Sequence, residues 1–350
     1  MPGSIAFVAA LGGPRDAGRQ HGAARGPALR AFLDDGLARL NRILPSAVTR
    51  EQLRPTVEAY GAAIEAATPV LAEEIRGLAE GAGIDRHDAV LLQIRREVLG
   101  YQKVPTLGDC STYARVADRS GGEPVLAQTV DLNGDLDDQI AVLHVGAPGP
   151  GRRALVLSFA GLLGYLGVNS SGLAVGLNLV LGGDWRPGLP PYLAIRHLLD
   201  TADSVEAAVK ILGGLPLASS RSIMLCDRDT AGYAELLGDE VRFVPAAQPI
   251  HTNHFLHPDL APSDELNVFA RNSSHSRLDA CRAALADLPA TADAEEHFAL
   301  LSQPPICVGD AGDIRRERTV AGVVALPGRG ELHVRPGDPS RSATQVFRLR

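Results

Sequence analysis

Between Leu107 and Val180 the chain alternates apolar runs with turns too short to hold a helix, and this constrains its fold more than any other feature. Residues 111–117 and 125–130 read as two strands around the turn "DRSGG". "QIAVLHVGA" (139–147), "RALVLSFAG" (153–161) and "GYLGVNSSGLAVGLNLV" (164–180) follow, divided by turns such as "PGPGR" and "NSSG". Parallel neighbours need a crossover of roughly a dozen residues, whereas short turns join antiparallel ones. The segment is therefore expected to be antiparallel sheet.

Helical patterns lie on either side. Residues 26–44 place Leu29, Phe32, Leu33, Leu37, Leu40 and Ile43 at helical spacing. Residues 50–84 read as two or three short helices broken at Pro55, Pro69 and Gly83, and 86–101 as another with Asp85 as N-cap. Beyond Val180 come helices in 190–215, strands in "SRSIMLCD", "AGYAELLG" and "EVRFVPA", helices at 272–288 and around 292–303, and strands in 318–337 and 344–350. Strand blocks separated by helical blocks predict an α+β protein whose sheets are covered by helices. One seam stands out, "QKVPTLGD" at 102–109, just before Cys110.

A hydrophobic fraction of 45% over 350 residues supports a sizeable core. A net charge of −7 with no basic block gives no reason to expect nucleic acid or an anionic membrane as partner, and 4% aromatics argue against base stacking. The first apolar run lacks a basic leader, and no run is long enough to span a bilayer. The four cysteines, Cys110, Cys226, Cys281 and Cys307, form no CxxC pair. A cytoplasmic protein acting on a small molecule is expected. No Walker or GxGxxG loop supports a nucleotide, and no other cofactor is implied.

Two metal patterns fail. "DLNGDLDD" sets Asp131, Asn133, Asp135 and Asp137 at calcium-loop spacing, but Leu136 stands where Gly is needed and Val142 where Glu is needed. His251, His254 and His257 recur at every third position in an irregular segment ending at Pro258, which is not the geometry of two ligands on one helix face.

Cys110 opens the sheet region. A cysteine in a strand is ordinarily a small buried hydrophobe. Cutting the bond between Asp109 and Cys110 would give one residue both a thiol and an α-amine. That amine has a reference pKa of about 7.7–8.0, and could serve as general base for its own thiol. Asp131 is open to reading as a turn residue or as a carboxylate at the nucleophile. Asn253 and Asn178 are open as turn or strand-end residues or as donors to an oxyanion. Arg277 could anchor an acidic substrate group or pair with Asp279 or Glu265.

Several motifs in order carry a resemblance: Arg96-Glu97 in the last helix of the leading segment, "DCST" at 109–112, Gln128-Thr129-Val130-Asp131, "HTNHF" at 251–255 and "NSSHSRL" at 272–278. Together they resemble the acyl-coenzyme A:isopenicillin N acyltransferase-like family, peptidase C45-type members of the N-terminal nucleophile hydrolase superfamily. The sequence departs from it at Asp109, where relatives often have Gly, and at Ser111, which replaces Thr. The resemblance implies a four-layer αββα sandwich with a helical N-terminal segment. Residues 1–109 would become a small subunit, held in a heterodimer with a catalytic part, 110–350, and further oligomers are open. It implies Cys110 as nucleophile, Asp131 beside its amine and Asn253 in the oxyanion hole, with Gln128, Asn178, His254 and Arg277 supporting or binding substrate. The expected activity is hydrolysis of a small N-acyl amide through a thioester. The alternatives are acyl transfer to an amine and an uncleaved binding protein of the same fold.

Overall fold

The computed structural model describes residues 4–100, 110–117, 121–146 and 151–349. A strand, β1 (Ala6–Leu11), precedes five helices: α1 (Pro14–Asp34), the one-turn α2 (Leu40–Ile43), α3 (Arg50–Ala67), α4 (Pro69–Ala82) and α5 (Arg86–Leu99). Then come β2 (Thr112–Arg115), β3 (Val125–Leu132), β4 (Ile140–Gly146), β5 (Arg153–Phe159), β6 (Leu166–Asn169) and β7 (Ala174–Leu179). Helices α6 (Pro191–Thr201) and α7 (Val205–Leu212) lead to β8 (Arg221–Cys226), β9 (Ala231–Leu237), β10 (Glu240–Pro245) and the two-residue β11 (Ile250–His251). The chain continues through α8 (Val268–Asp287), α9 (Ala294–Leu301), β12 (Arg318–Leu326), β13 (Glu331–Pro336) and β14 (Gln345–Arg348).

The strands form two sheets. One has the order β1-β4-β5-β6-β7-β8-β9-β10, the other β11-β2-β3-β12-β13-β14. Strands β2 and β3 pack on β7 and β8, so the sheets lie face to face. Helices α1, α6 and α7 cover the outer face of the larger sheet, and α8 and α9 cover the smaller. This is the expected αββα order. Side chains between the layers, among them Leu126, Val130, Leu177 and Ile223, are fully buried. Each such residue contributes about 1.5–3 kcal/mol.

Three local expectations need correcting. The segment before Cys110 is not wholly helical, because β1 pairs in parallel with β4, from Ala6↔Ala141 to Leu11↔Gly146. The first helix begins at Pro14 and stops at Asp34, since Gly36, Leu37, Ala38 and Arg39 all take left-handed backbone. Pro55 does not break a helix but lies inside α3. By contrast, Asp85 caps α5 by accepting from His87 N–H at 2.7 Å.

The leading segment is fixed firmly to the larger sheet. Gly18 on α1 faces the Glu74 backbone, and Gly77 on α4 faces that of Arg15, where a Cβ would overlap a carbonyl. Glu74 then reaches α6, where its carboxylate accepts two hydrogen bonds from Arg196 at 2.9 and 2.8 Å. Among the described residues no helix is long and apolar enough to cross a membrane.

Candidate active site

Cys110 leads into β2, and β2 is hydrogen-bonded between β11 and β3. The pairing extends back past the strand. Thr129 N–H donates to Ser111 O at 3.0 Å, and Ser111 N–H to Thr129 Oγ1 at 3.1 Å. The cysteine is thus held on a rigid element, 3% exposed. Asp109 lies outside the described residues.

The thiol faces the end of β3. Asp131 N–H donates to Sγ at 3.3 Å, and the thiol stands 3.9 Å from Asp131 O. The Tyr165 hydroxyl is 3.7 Å from Sγ. Asp131 is fully buried, not an exposed turn residue. Its carboxylate accepts from Thr319 Oγ1 at 2.7 Å and, more weakly, from Thr129 Oγ1 at 3.4 Å. Thr319 lies on β12 opposite Asp131, where the register shifts before Ala321. Such an irregularity re-aims a side chain, and here the Thr319 hydroxyl meets the Asp131 carboxylate.

The carbonyl of Cys110 is gripped from two elements. Asn178 Nδ2, on β7, donates to it at 2.8 Å, and Arg277 Nη1, on α8, at 3.0 Å. Arg277 also donates to Ser111 Oγ at 3.1 Å and, through Nη2, to Asn253 Oδ1 at 2.6 Å. It pairs with neither Asp279 nor Glu265; Asp279 is taken by Arg282. The arginine therefore joins the Cys110 backbone to Asn253. The Asn253 Nδ2 donates to Leu179 O at 2.9 Å, and its backbone N–H to Ser274 Oγ at 2.8 Å.

The histidines divide their tasks. His254 Nδ1 is 2.7 Å from Ser274 Oγ, so it supports Asn253 through that serine. Burial, reinforced by the neighbouring His275, lowers it to about 3, which keeps it neutral at physiological pH. His251 pairs with Glu235 on β9, Nε2 to Oε1 at 2.7 Å. Burial works against the charge on Glu235. The hydrogen bond and charge of His251, with the N–H groups of Leu256 and His257, outweigh it and hold the carboxylate below its ordinary range. Glu235 thus clamps the loop that carries Asn253. Among the described residues no three metal-ligating side chains gather. Of the calcium-like acids, Asp135 and Asp137 are paired with Arg318 at 3.2 and 2.6 Å.

Gln128 does not reach the thiol. Its amide bridges the two sheets, accepting from Leu177 N–H at 3.0 Å and donating to Leu177 O at 2.7 Å. The other cysteines are held as thiols. Burial raises Cys226 strongly, and raises Cys281 and Cys307 to about 12. Sequence reasoning missed Tyr165, Thr319 and Glu235. A tyrosine inside the apolar run "GLLGYLGVN" was the one available signal, since a buried hydroxyl needs a partner.

The arrangement offers a thiol at the entrance to a fixed strand, a buried carboxylate on the residue whose N–H meets that thiol, and an arginine-held side-chain amide. That is the equipment for acyl transfer through a thioester. The chain is 26% identical to the acyl-coenzyme A:6-aminopenicillanic-acid-acyltransferase 40 kDa form of Emericella nidulans over 277 residues, 78% of this chain and 76% of that protein. Among solved structures, a penicillin V acylase from Agrobacterium tumefaciens matches with TM-score 0.49 and 15% identity over 69% of this chain and 86% of that one. A Caenorhabditis elegans N-acylethanolamine-hydrolyzing acid amidase ortholog matches with TM-score 0.46 and 17% identity over 69% of this chain and 100% of the other. The model of one family covers residues 118–340, more than half of the chain, and the protein therefore belongs to the acyl-coenzyme A:6-aminopenicillanic acid acyl-transferase family.

Proposed function

We propose that the protein is a self-processing cysteine amidohydrolase that cleaves a small N-acyl amide through a thioester. The observation that carries this reading is the double grip on Cys110: its thiol against Asp131 N–H, its carbonyl against Asn178 and Arg277. These contacts from three elements fix both the thiol and the backbone that carries it. In maturation the Cys110 thiol attacks the carbonyl of residue 109, the C–N bond breaks to free the Cys110 α-amine and leave a thioester, and water hydrolyses that thioester to a carboxylate on residue 109 and the free thiol. In turnover that amine takes the thiol proton as sulfur attacks the substrate carbonyl. The proton then passes to the departing amine, and water resolves the acyl-enzyme. Asp131 orients the α-amine. The Asn253 amide, with its oxygen fixed by Arg277, serves the oxyanion.

On this reading residues 1–109 stay bound as a small subunit, because β1 lies within the larger sheet. The four thiols form no disulfide, which suits a reducing compartment such as the cytoplasm. A second reading, acyl transfer to an amine, is favoured by the name of the fungal relative. Denaturing electrophoresis with mass analysis tests the first step: wild type should give two bands with a new N-terminus at Cys110, and Cys110→Ala one. A wild-type chain that is active and uncut overturns the mechanism. Amine release from N-acyl amines, with and without an acceptor amine, separates hydrolysis from transfer.

A further inference from the structure

Tyr165 connects the thiol to a small cavity. Its hydroxyl is 3.7 Å from Sγ, and its side chain lines the cavity together with Arg95, Arg96, Asn133 and Glu317. Arg95 Nη2, Arg96 Nη1 and Asn133 Nδ2 are all buried and have no hydrogen-bond partner among the described residues. All three are donors. An unpaired buried donor costs about 1–3 kcal/mol, so three on the wall of one cavity call for an acceptor. The charge points the same way, because two guanidiniums face one carboxylate, Glu317, among the described lining residues. Burial, with repulsion from Arg96, brings Arg95 down to about 10, the mark of a cation without its counter-charge.

The donors are fixed in advance. Arg95 Nε donates to Ala38 O at 2.8 Å, and Ala38 belongs to the left-handed run after α1. Arg95 Nη2 lies 2.5 Å from where a Cβ on residue 134 would stand, so Gly134, at φ +90, leaves it room. Guanidinium forks match the two coplanar oxygens of a carboxylate.

We propose that this cavity is a carboxylate subsite: the amide attacked by Cys110 carries a carboxylate that Arg95, Arg96 and Asn133 hold. The proposal rests on Cys110 as nucleophile and adds a substrate class to it. Two matched probe pairs test it. N-hexanoylglycine against N-hexanoylglycinamide puts the carboxylate on the amine side. Glutaryl p-nitroanilide against its terminal carboxamide puts it on the acyl side. Preference is read as kcat/KM where the chain turns a probe over and as calorimetric Kd where it does not. In at least one pair the carboxylate should be preferred tenfold or more, on the order of one buried charge-assisted contact. Arg96→Gln and Asn133→Ala should each narrow that ratio severalfold. Equal or better use of the neutral member in both pairs, or a preference that both variants leave intact, overturns the subsite. Amine release without preference sinks the subsite alone. Preferred binding without amine release sinks the hydrolase reading and leaves the subsite standing.

Discussion

Replacing Thr319 by valine removes one hydroxyl from beside the Asp131 carboxylate and changes side-chain shape little. In the structure that hydroxyl donates to Asp131 Oδ1 at 2.7 Å and accepts from Val308 N–H at 2.9 Å. Its two bonds have different consequences. Losing an acceptor for Val308 N–H is a matter of stability, about 1–3 kcal/mol, and would appear in the denaturation midpoint. Losing a donor to an ionised carboxylate is worth about 1.5–3 kcal/mol, and it acts on the group proposed to hold the α-amine of Cys110. At about 1.4 kcal/mol per tenfold in rate, turnover should fall roughly 10- to 100-fold. Rates are measured well below the unfolding temperature of the variant, so that the stability loss does not enter. Thr319→Ser keeps both bonds and should recover most of the rate. A folded Thr319→Val that turns over within about twofold of wild type would falsify the role given to Asp131.

Other expectations can be checked with standard variants and titrations. Asn253→Ala should fold and lose about 10²–10³ in kcat with KM little changed; near-normal kcat would return Asn253 to a structural role and move attention to Asn178. Iodoacetamide should label Cys110 in the mature protein well before Cys281 or Cys307, whose thiols burial raises to about 12, and mass mapping that finds another order refutes the assignment. Stability should fall in acid. Burial, ahead of the nearby Arg196, Arg115 or His275, holds His21 and His254 at about 3 and His297 at about 4, below the unfolded value of 6.5. Their contribution is full above pH 6.5 and is lost as pH drops, because the unfolded chain takes protons that the folded one refuses. Each costs up to about 1.4 kcal/mol per pH unit. A denaturation midpoint that stays flat from pH 7 to pH 5 would contradict this.

The sheets were legible because their strands are apolar and their turns short. "QIAVLHVGA" and "RALVLSFAG" became β4 and β5 almost to the residue. β1 escaped because its run, "AFVAAL", is brief and stands alone, and its partner β4 lies more than a hundred residues on, where no local pattern reaches. The left-handed run ending at Arg39 escaped for a related reason. Its conformation is held by tertiary bonds, among them Arg95 Nε to Ala38 O and Arg39 Nη1 to Gly134 O at 2.9 Å. At the site, Cys110, Asp131 and Asn253 could be named from short motifs. Thr319 lies on the distant strand β12 and Tyr165 in the bend before β6, and a threonine or tyrosine in an apolar run looks like packing until its neighbours are known. The motifs singled out Arg277 but not its partners, since an arginine's reach in three dimensions is not written in its spacing.

The pairing of β1 with β4 has one more consequence, for how the chain could be rebuilt. Ile5 N–H donates to the Gln345 side chain at 2.9 Å, and the Phe7 and Phe347 rings stack with centroids 5.6 Å apart. The beginning of β1 and the last strand are therefore neighbours, although the sequence sets them at opposite extremes. A circular permutant could join Arg348 to Ser4 through a short linker and open the chain between Asp109 and Cys110. Its gene would begin Met-Cys, and an aminopeptidase that trims the methionine would expose the α-amine of Cys110 with no self-cleavage at all. Maturation and turnover, both assigned to one thiol in the proposed mechanism, would then become separately measurable, and a residue needed only for the first could be told from one needed for the second.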